Sequence, residues 1–335
     1  MTLAAAVHYQ FLYSERANMI TRRSILTGSS ALLAVSSIPA RAQEKPAAIR
    51  IGTQKGGFFP AIRNRGCVET AFEPLGIDIK WVDFQFGPPM LEAINVGSLD
   101  YGYVGDAPPI FAQAGGARIS YAAAVISRGN NQAILVSRDS PIHNLGDLRG
   151  KKIAFGKGSS AHNLLVAALE RAGIAWSDIT PVPLAPADAV AAFIKGAVDA
   201  WSVWDPYVAL AELRFNARAV AWERDVHESN AFYIARADFV TKYPSVVARL
   251  NDVLAAEGKW AESHHEEVAK AQADATGVDI DAVRRSVGRS VFQVSPVTDQ
   301  VIETQQIVAD RFYKLGLIPR PVHVDDIVWK WTPGL

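Results

Sequence analysis

From residue 49 onward the apolar positions fall into short runs separated by longer stretches of helical period. Residues 49–53 read as a buried strand, 60–72 as a helix, 77–83 as an alternating strand and 89–96 as a helix. The same order continues with a strand at 99–104, a helix at 108–114 and a strand at 118–126. Alternation of this kind predicts an α/β protein with mainly parallel sheets flanked by helices. Toward the C-terminus, 229–235 reads as a strand returning to the first sheet. Residues 244–270 and 299–315 read as long amphipathic helices packed behind it.

The pattern occurs twice. Ala93, Gly97, Asp100, Val104 and Asp106 recur as Ala192, Gly196, Asp199, Val203 and Asp205, all at one offset of 99 residues. Each copy reads as helix, glycine C-cap, short strand and an aspartate that opens a new helix. Earlier in each copy a strand ends in Lys-Gly, at Lys55-Gly56 and Lys157-Gly158. Two similar lobes follow: 43–127 with 228–335, and 128–227. Crossings near 127–130 and 226–230 would form a hinge across which the lobes close on a ligand.

In both lobes the strand ends lead into helix starts suited to an anion. Asp106 in Gly105-Asp106-Ala107-Pro108-Pro109 and Asp205 in Trp204-Asp205-Pro206 stand at N-cap positions, with proline in the first turn. The remaining backbone donors and the positive ends of the helix dipoles are left for the cleft. Ser159 and Ser160 add hydroxyls at a third start, and Gly56 and Gly57, after Gln54, allow close backbone approach at a fourth. Any one of these motifs could merely cap its helix. Four of them at the carboxyl ends of strands mark the ligand edge of open α/β sheets.

Charge and composition narrow the field. The 335 residues are 49% hydrophobic and 20% charged, with 34 Lys plus Arg against 34 Asp plus Glu. A balanced chain lacks the basic excess of a nucleic-acid binder, so the anion site must be local. Cys67 is the only cysteine, which leaves no disulfide framework or thiolate cluster. In His264-His265-Glu266-Glu267 adjacent histidines on a helix point to different faces, so the run reads as solvated surface and not as a metal site. No cofactor motif, nucleophile elbow, phosphate loop or zinc spacing is found, and a binder is expected in preference to an enzyme.

The N-terminus reads as an address. Arg22-Arg23 precede the moderately apolar stretch 28–38, and Ala40-Arg41-Ala42 forms a small-residue cleavage site before Gln43. The pair resembles a twin-arginine signal with Ile25 in place of the usual Phe; ordinary Sec export, and a start at Met19, are alternatives. Either route predicts a periplasmic product with no membrane anchor.

With these residues in view, a family resemblance is evident. Gly87-Pro88-Pro89, Gly97-Ser98-Leu99-Asp100-Tyr101-Gly102 and Gly105-Asp106-Ala107-Pro108-Pro109 resemble the aliphatic sulfonate-binding proteins of the SsuA type. So do Lys157-Gly158-Ser159-Ser160-Ala161-His162, Trp204-Asp205-Pro206-Tyr207 and Leu315-Gly316-Leu317-Ile318-Pro319. The resemblance spans essentially the whole mature chain. It implies a type II periplasmic-binding fold that holds the sulfonate head in the interlobe cleft, without a cofactor. The implied contacts are Gln54, Gly105, Asp106, Ala107, Ser159, Ser160, His162, Trp204, Asp205 and Asn230. The implied partners are a small anionic ligand, taken to be an alkanesulfonate, and an ABC permease with its ATPase, the binder itself being a monomer. His162 either donates to a sulfonate oxygen or caps its own helix, and Trp204 either covers the ligand's tail or packs in the core. Ser127-Arg128-Gly129-Asn130-Asn131 departs from the family pattern and places Arg128 at the cleft mouth. The motifs separate sulfonate, taurine, nitrate and pyrimidine binders poorly. Desulfinating enzymes share the fold.

Overall fold

The computed structural model describes residues 44–334. The expected signal region, 1–42, lies outside the described residues. Among them, ten strands form two sheets. β1 (Ala48–Thr53), β2 (Asp78–Asp83), β3 (Tyr101–Val104) and β4 (Ile119–Ile126) come first. β5 (Gln132–Ser137), β6 (Lys152–Phe155), β7 (Thr180–Pro183), β8 (Ala200–Trp204) and β9 (Ala217–Trp222) follow, and β10 (Asn230–Arg236) returns to the first sheet. The strand orders are β2-β1-β3-β10-β4 and β7-β6-β8-β5-β9.

The sheets are mixed where mainly parallel ones were expected. In each, the first three strands in the order run parallel, and the fourth is antiparallel to both its neighbours. That fourth strand, β10 or β5, is the one that arrives directly from the other lobe. A chain that leaves one sheet's end and enters the next with only a few residues between must run back in the opposite sense.

The sequence repeat has a structural cause. Asp100 Oδ2 accepts from the Arg50 backbone N–H at 2.9 Å, and Asp199 Oδ2 accepts from that of Lys152 at 2.7 Å. In each lobe one aspartate thus ties the strand it precedes to that strand's parallel neighbour. Gly97 (φ 78°) and Gly196 (φ 66°) supply the left-handed turn between helix and strand that a side chain would resist.

Apolar clusters cover both faces of both sheets. In the first lobe Phe59, Tyr101 and Tyr233 pack ring against ring. Tyr101 hydroxyl donates to Asn251 Oδ1, and Asn251 Nδ2 donates to Ala122 O at 2.9 Å, so these two buried side chains are hydrogen-bonded.

Two helical expectations change. The helix foreseen over 60–72 is two, Phe59–Arg65 and Cys67–Phe72, separated at Gly66 (φ 65°). The one over 244–270 is also two, Pro244–Ala261 and His265–Thr276, broken where the His264 ring stacks on Trp260 at 4.4 Å. A further helix, Ile280–Val287, was not foreseen. It is capped by Asp279, whose Oδ1 accepts from the N–H groups of Asp281 and Ala282.

The two crossings meet at one buried carboxylate. Glu223 accepts from Ser127 Oγ at 3.0 Å, from Gln132 Nε2 at 2.7 Å and from Ser229 Oγ. Ser127 and Gln132 flank the first crossing, and Glu223 and Ser229 flank the second. Burial pushes the Glu223 pKa up to about 7 against the pull of these hydrogen bonds.

Candidate functional site: a cavity between the two sheets

The loops that leave the carboxyl ends of β1, β3, β6 and β8 converge on one cavity of about 100 Å³. Strand geometry dictates this. Parallel strands in each sheet deliver their loops to a single edge, and the two edges face each other across the crossings. Gln54, Gly105, Ser159, Ser160, Trp204, Asp205 and Asn230, seven of the residues named from sequence, line this cavity together with Arg128.

Asp106, Ala107 and His162 are set elsewhere, and the reason is geometric. Asp106 is fully buried. Its Oδ1 accepts from Ala107 N at 2.7 Å, and its Oδ2 accepts from Asn163 Nδ2 at 2.6 Å. The Ala107 N–H expected to face a ligand is therefore committed to its own cap. Burial raises the Asp106 pKa to about 6 despite these bonds. His162 follows Ser160 by two positions on the helix Ser160–Arg171, about 200° around its axis. When Ser160 faces the cavity, His162 faces away. Its ring lies among Phe111 and Phe312 of the first lobe and Phe155 and Trp176 of the second. Its Nδ1 accepts from Gly158 N at 3.3 Å, and burial lowers its pKa to about 4, so the ring is neutral packing between the lobes.

The glycines also change role. A Cβ on Gly105 would stand 2.7 Å from Ser160 Cβ, and one on Gly56 would stand 2.8 Å from the Asp205 carbonyl oxygen. Close approach was expected from a ligand; here it comes from the second lobe. The lobes are in contact at both edges of the cavity. At one edge Arg311 Nε donates to Glu170 Oε2 at 3.0 Å and Arg311 Nη1 donates to Asn163 Oδ1 at 2.9 Å. At the other, Arg214 pairs with Asp279 at 2.7 Å and Arg285 with Glu212 at 3.3 Å. The Arg214–Asp279 pair is solvated and contributes at most about 1 kcal/mol.

Asp205 is only half committed as a cap. Its Oδ1 accepts from Ala209 N at 2.9 Å, while Oδ2 is buried without a hydrogen-bond partner. The helix begins at Tyr207, so Pro206 precedes the first helical residue instead of occupying it. Burial pushes the Asp205 pKa up to about 7, opposed by the nearby Arg289.

Arg289 itself was missed from sequence, as was Phe292, whose ring is tilted against that of Phe58 at 4.9 Å on the cavity wall. Phe58, read from sequence as cover for a ligand's tail or as core, lines the cavity. The N-cap at Asp279 could have revealed the helix, but nothing local says where the residue beyond its end points. Arg128 lines the mouth with a side chain 62% exposed.

Cys67 is remote from the wall, and its thiol, pushed up to about 12 by burial, carries no nucleophilic thiolate near neutral pH. Among the described residues no group of three or more His, Cys, Asp or Glu could hold a metal ion, and no helix is long and apolar enough to cross a membrane.

Comparison with known proteins places this geometry. Residues 72–281 match the family model described as NMT1/THI5 like. A putative aliphatic sulfonates-binding protein of Escherichia coli is 37% identical over 93% of this chain and 98% of its own length. A Bacillus subtilis protein of the same description is 34% identical over 84% of this chain and 85% of its own. Among solved structures, the alkanesulfonate-binding protein SsuA of Xanthomonas axonopodis pv. citri, bound to MOPS, superposes with a TM-score of 0.80. It is 37% identical, and the match covers 85% of this chain and 99% of that one.

Proposed function

Because this chain belongs to the NMT1/THI5-like family, and within it to the aliphatic sulfonate-binding proteins, we propose that it captures an aliphatic sulfonate for an ABC importer. One observation carries the reading: anion-suited loops from both lobes line a single cavity at which the lobes already touch. A sulfonate is a fixed monoanion across physiological pH, so donors can hold it without managing a proton. Hydrogen bonds to a charged group contribute about 1.5–3 kcal/mol each. The wall offers Ser160 and the backbone around Gly105 and Ser159 for the head, and Trp204, Phe58 and Phe292 for an apolar tail.

Closure follows from the same arrangement. A ligand that touches the Gly105 loop and the Ser159–Ser160 loop together stabilises the closed form over any open one, because only there are both loops within reach. The reading as a binder is supported by the 37% and 34% identical relatives, both described as sulfonates-binding proteins. Export through the Arg22-Arg23 signal, cleavage after Ala42, residence in the periplasm as a monomer and delivery to a membrane permease complete the proposal.

A second reading, an aminoalkanesulfonate such as taurine, is favoured by Asp205 Oδ2, which lies buried at the cavity without a hydrogen bond and with only the 3.5 Å contact to Arg289. Calorimetric titration with butanesulfonate, taurine, nitrate, sulfate and a thiamine-precursor pyrimidine separates these. Micromolar binding of butanesulfonate, and weak binding of the others, is expected. Taurine as the tightest ligand would support the second reading, and heat from nitrate or the pyrimidine alone would overturn both.

A further inference from the structure

Arg289 follows the helix Ile280–Val287 of the first lobe, yet its guanidinium reaches the second. Nη2 donates to Glu212 Oε2 at 2.6 Å, on the helix Tyr207–Arg214, and Cζ stands 4.6 Å from the centre of the Trp222 ring. Nη1 is buried and makes no hydrogen bond; its nearest acid is Asp205 Oδ2 at 3.5 Å, also without a hydrogen bond. Both residues line the cavity. The side chain is 19% exposed, against 62% for Arg128, the other cavity-lining arginine.

We infer that Arg289 is the specificity-determining cation of the site, with Nη1 donating to the ligand's oxyanion while Nη2 holds the second lobe through Glu212. This inference rests on the sulfonate reading and deepens it. A buried guanidinium N–H that makes no hydrogen bond and has its nearest acid 3.5 Å away carries a desolvation cost that an entering anion reduces and a neutral molecule of the same shape reduces less. The guanidinium's two edges serve two lobes. An oxyanion on Nη1 fixes the plane of the guanidinium, and the same plane presents Nη2 to Glu212. Head-group recognition and closure are thereby coupled through one rigid group. Helix N-termini, by contrast, offer partial charges that also accept neutral sulfonyl oxygens.

The test compares butanesulfonate with butyl methyl sulfone, which has a similar shape and no charge, in the wild type, Arg289→Gln and Arg289→Lys. Calorimetry gives Kd, and small-angle scattering gives the compaction at saturating ligand. The wild type is expected to prefer the sulfonate strongly. Arg289→Gln weakens sulfonate binding at least tenfold, cuts the preference over the sulfone by a similar factor and reduces the compaction. Arg289→Lys, which keeps the charge and loses the two-edged plane, retains the preference and compacts less than wild type. Sulfonate binding by Arg289→Gln within threefold of wild type, or an unchanged preference, overturns this inference alone. A wild type that binds no sulfonate overturns the sulfonate reading and this inference with it.

Discussion

Glu223 shows how a single side chain sets a pH dependence. It is fully buried where the crossings meet, and its pKa rises to about 7 because burial outweighs three hydrogen bonds. A carboxyl whose folded pKa lies above its unfolded value adds stability that is complete below the ordinary glutamate range. That stability disappears as pH rises through about 7. Asp106 and Asp205 act in the same sense; His162 and His227, both lowered to about 4, lose stability instead as pH falls below the usual histidine range. Only a difference between variants isolates one group. Glu223→Gln is expected to match wild type in urea unfolding at pH 5 and to exceed it by about 1–3 kcal/mol at pH 8. A constant offset between the two curves would mean that Glu223 does not titrate in this range. At this scale the sequence was partly legible. Asp205 and Ser160 could be named because strand ends and caps have local signatures. His162 could not be placed, because its position two residues past Ser160 turns it to the other side of the helix.

Among the elements, one fine adjustment stands out. Gly258 lies inside the helix Pro244–Ala261, where alanine would ordinarily stabilise by about 0.5–1 kcal/mol. Here an added Cβ would overlap the Phe292 carbonyl oxygen, and backbone cannot swing aside as a flexible side chain can. Overpacking of this kind costs about 1–3 kcal/mol, so the net effect of Gly258→Ala is destabilising. A lower urea midpoint checks this. Weaker sulfonate binding is expected too, because the displaced strand of backbone carries Phe292 and follows Arg289. The proposed export signal in 1–42 has its own test. Lysine at both Arg22 and Arg23 is expected to leave the protein in the cytoplasm, and undiminished export would exclude the twin-arginine route. Element types were largely visible in the apolar periods, and the repeat was visible because Asp100 and Asp199 perform one backbone task twice. The helix Ile280–Val287 escaped notice because two turns of apolar spacing, at Ile280, Val283 and Val287, carry little signal without the surface they pack on.

For the molecule as a whole, closure depends on two absent side chains. Gly56 and Gly105 meet the second lobe only when the lobes are together, and neither has a φ that disfavours alanine. Gly56→Ala and Gly105→Ala are therefore expected to leave the thermal midpoint of the ligand-free protein within about 2 °C of wild type while weakening sulfonate binding tenfold or more. A large fall in the ligand-free midpoint would show that closure persists without ligand. Sequence revealed the repeat that underlies the two sheets but not the contact across the cavity, since neighbours across a cleft leave no spacing to read. The strand order has a last consequence, which concerns synthesis. β4 ends at Ile126, but the strand between it and β3 begins only at Asn230. A chain emerging from the ribosome can complete the second sheet while the first still has a gap with both flanking edges unpaired. Such edges invite pairing with other chains. Late arrival of a central strand is also the kind of long-range step that slows folding. Translation stopped between Trp222 and Asn230 would thus yield a finished second sheet joined to an adhesive, half-built first one.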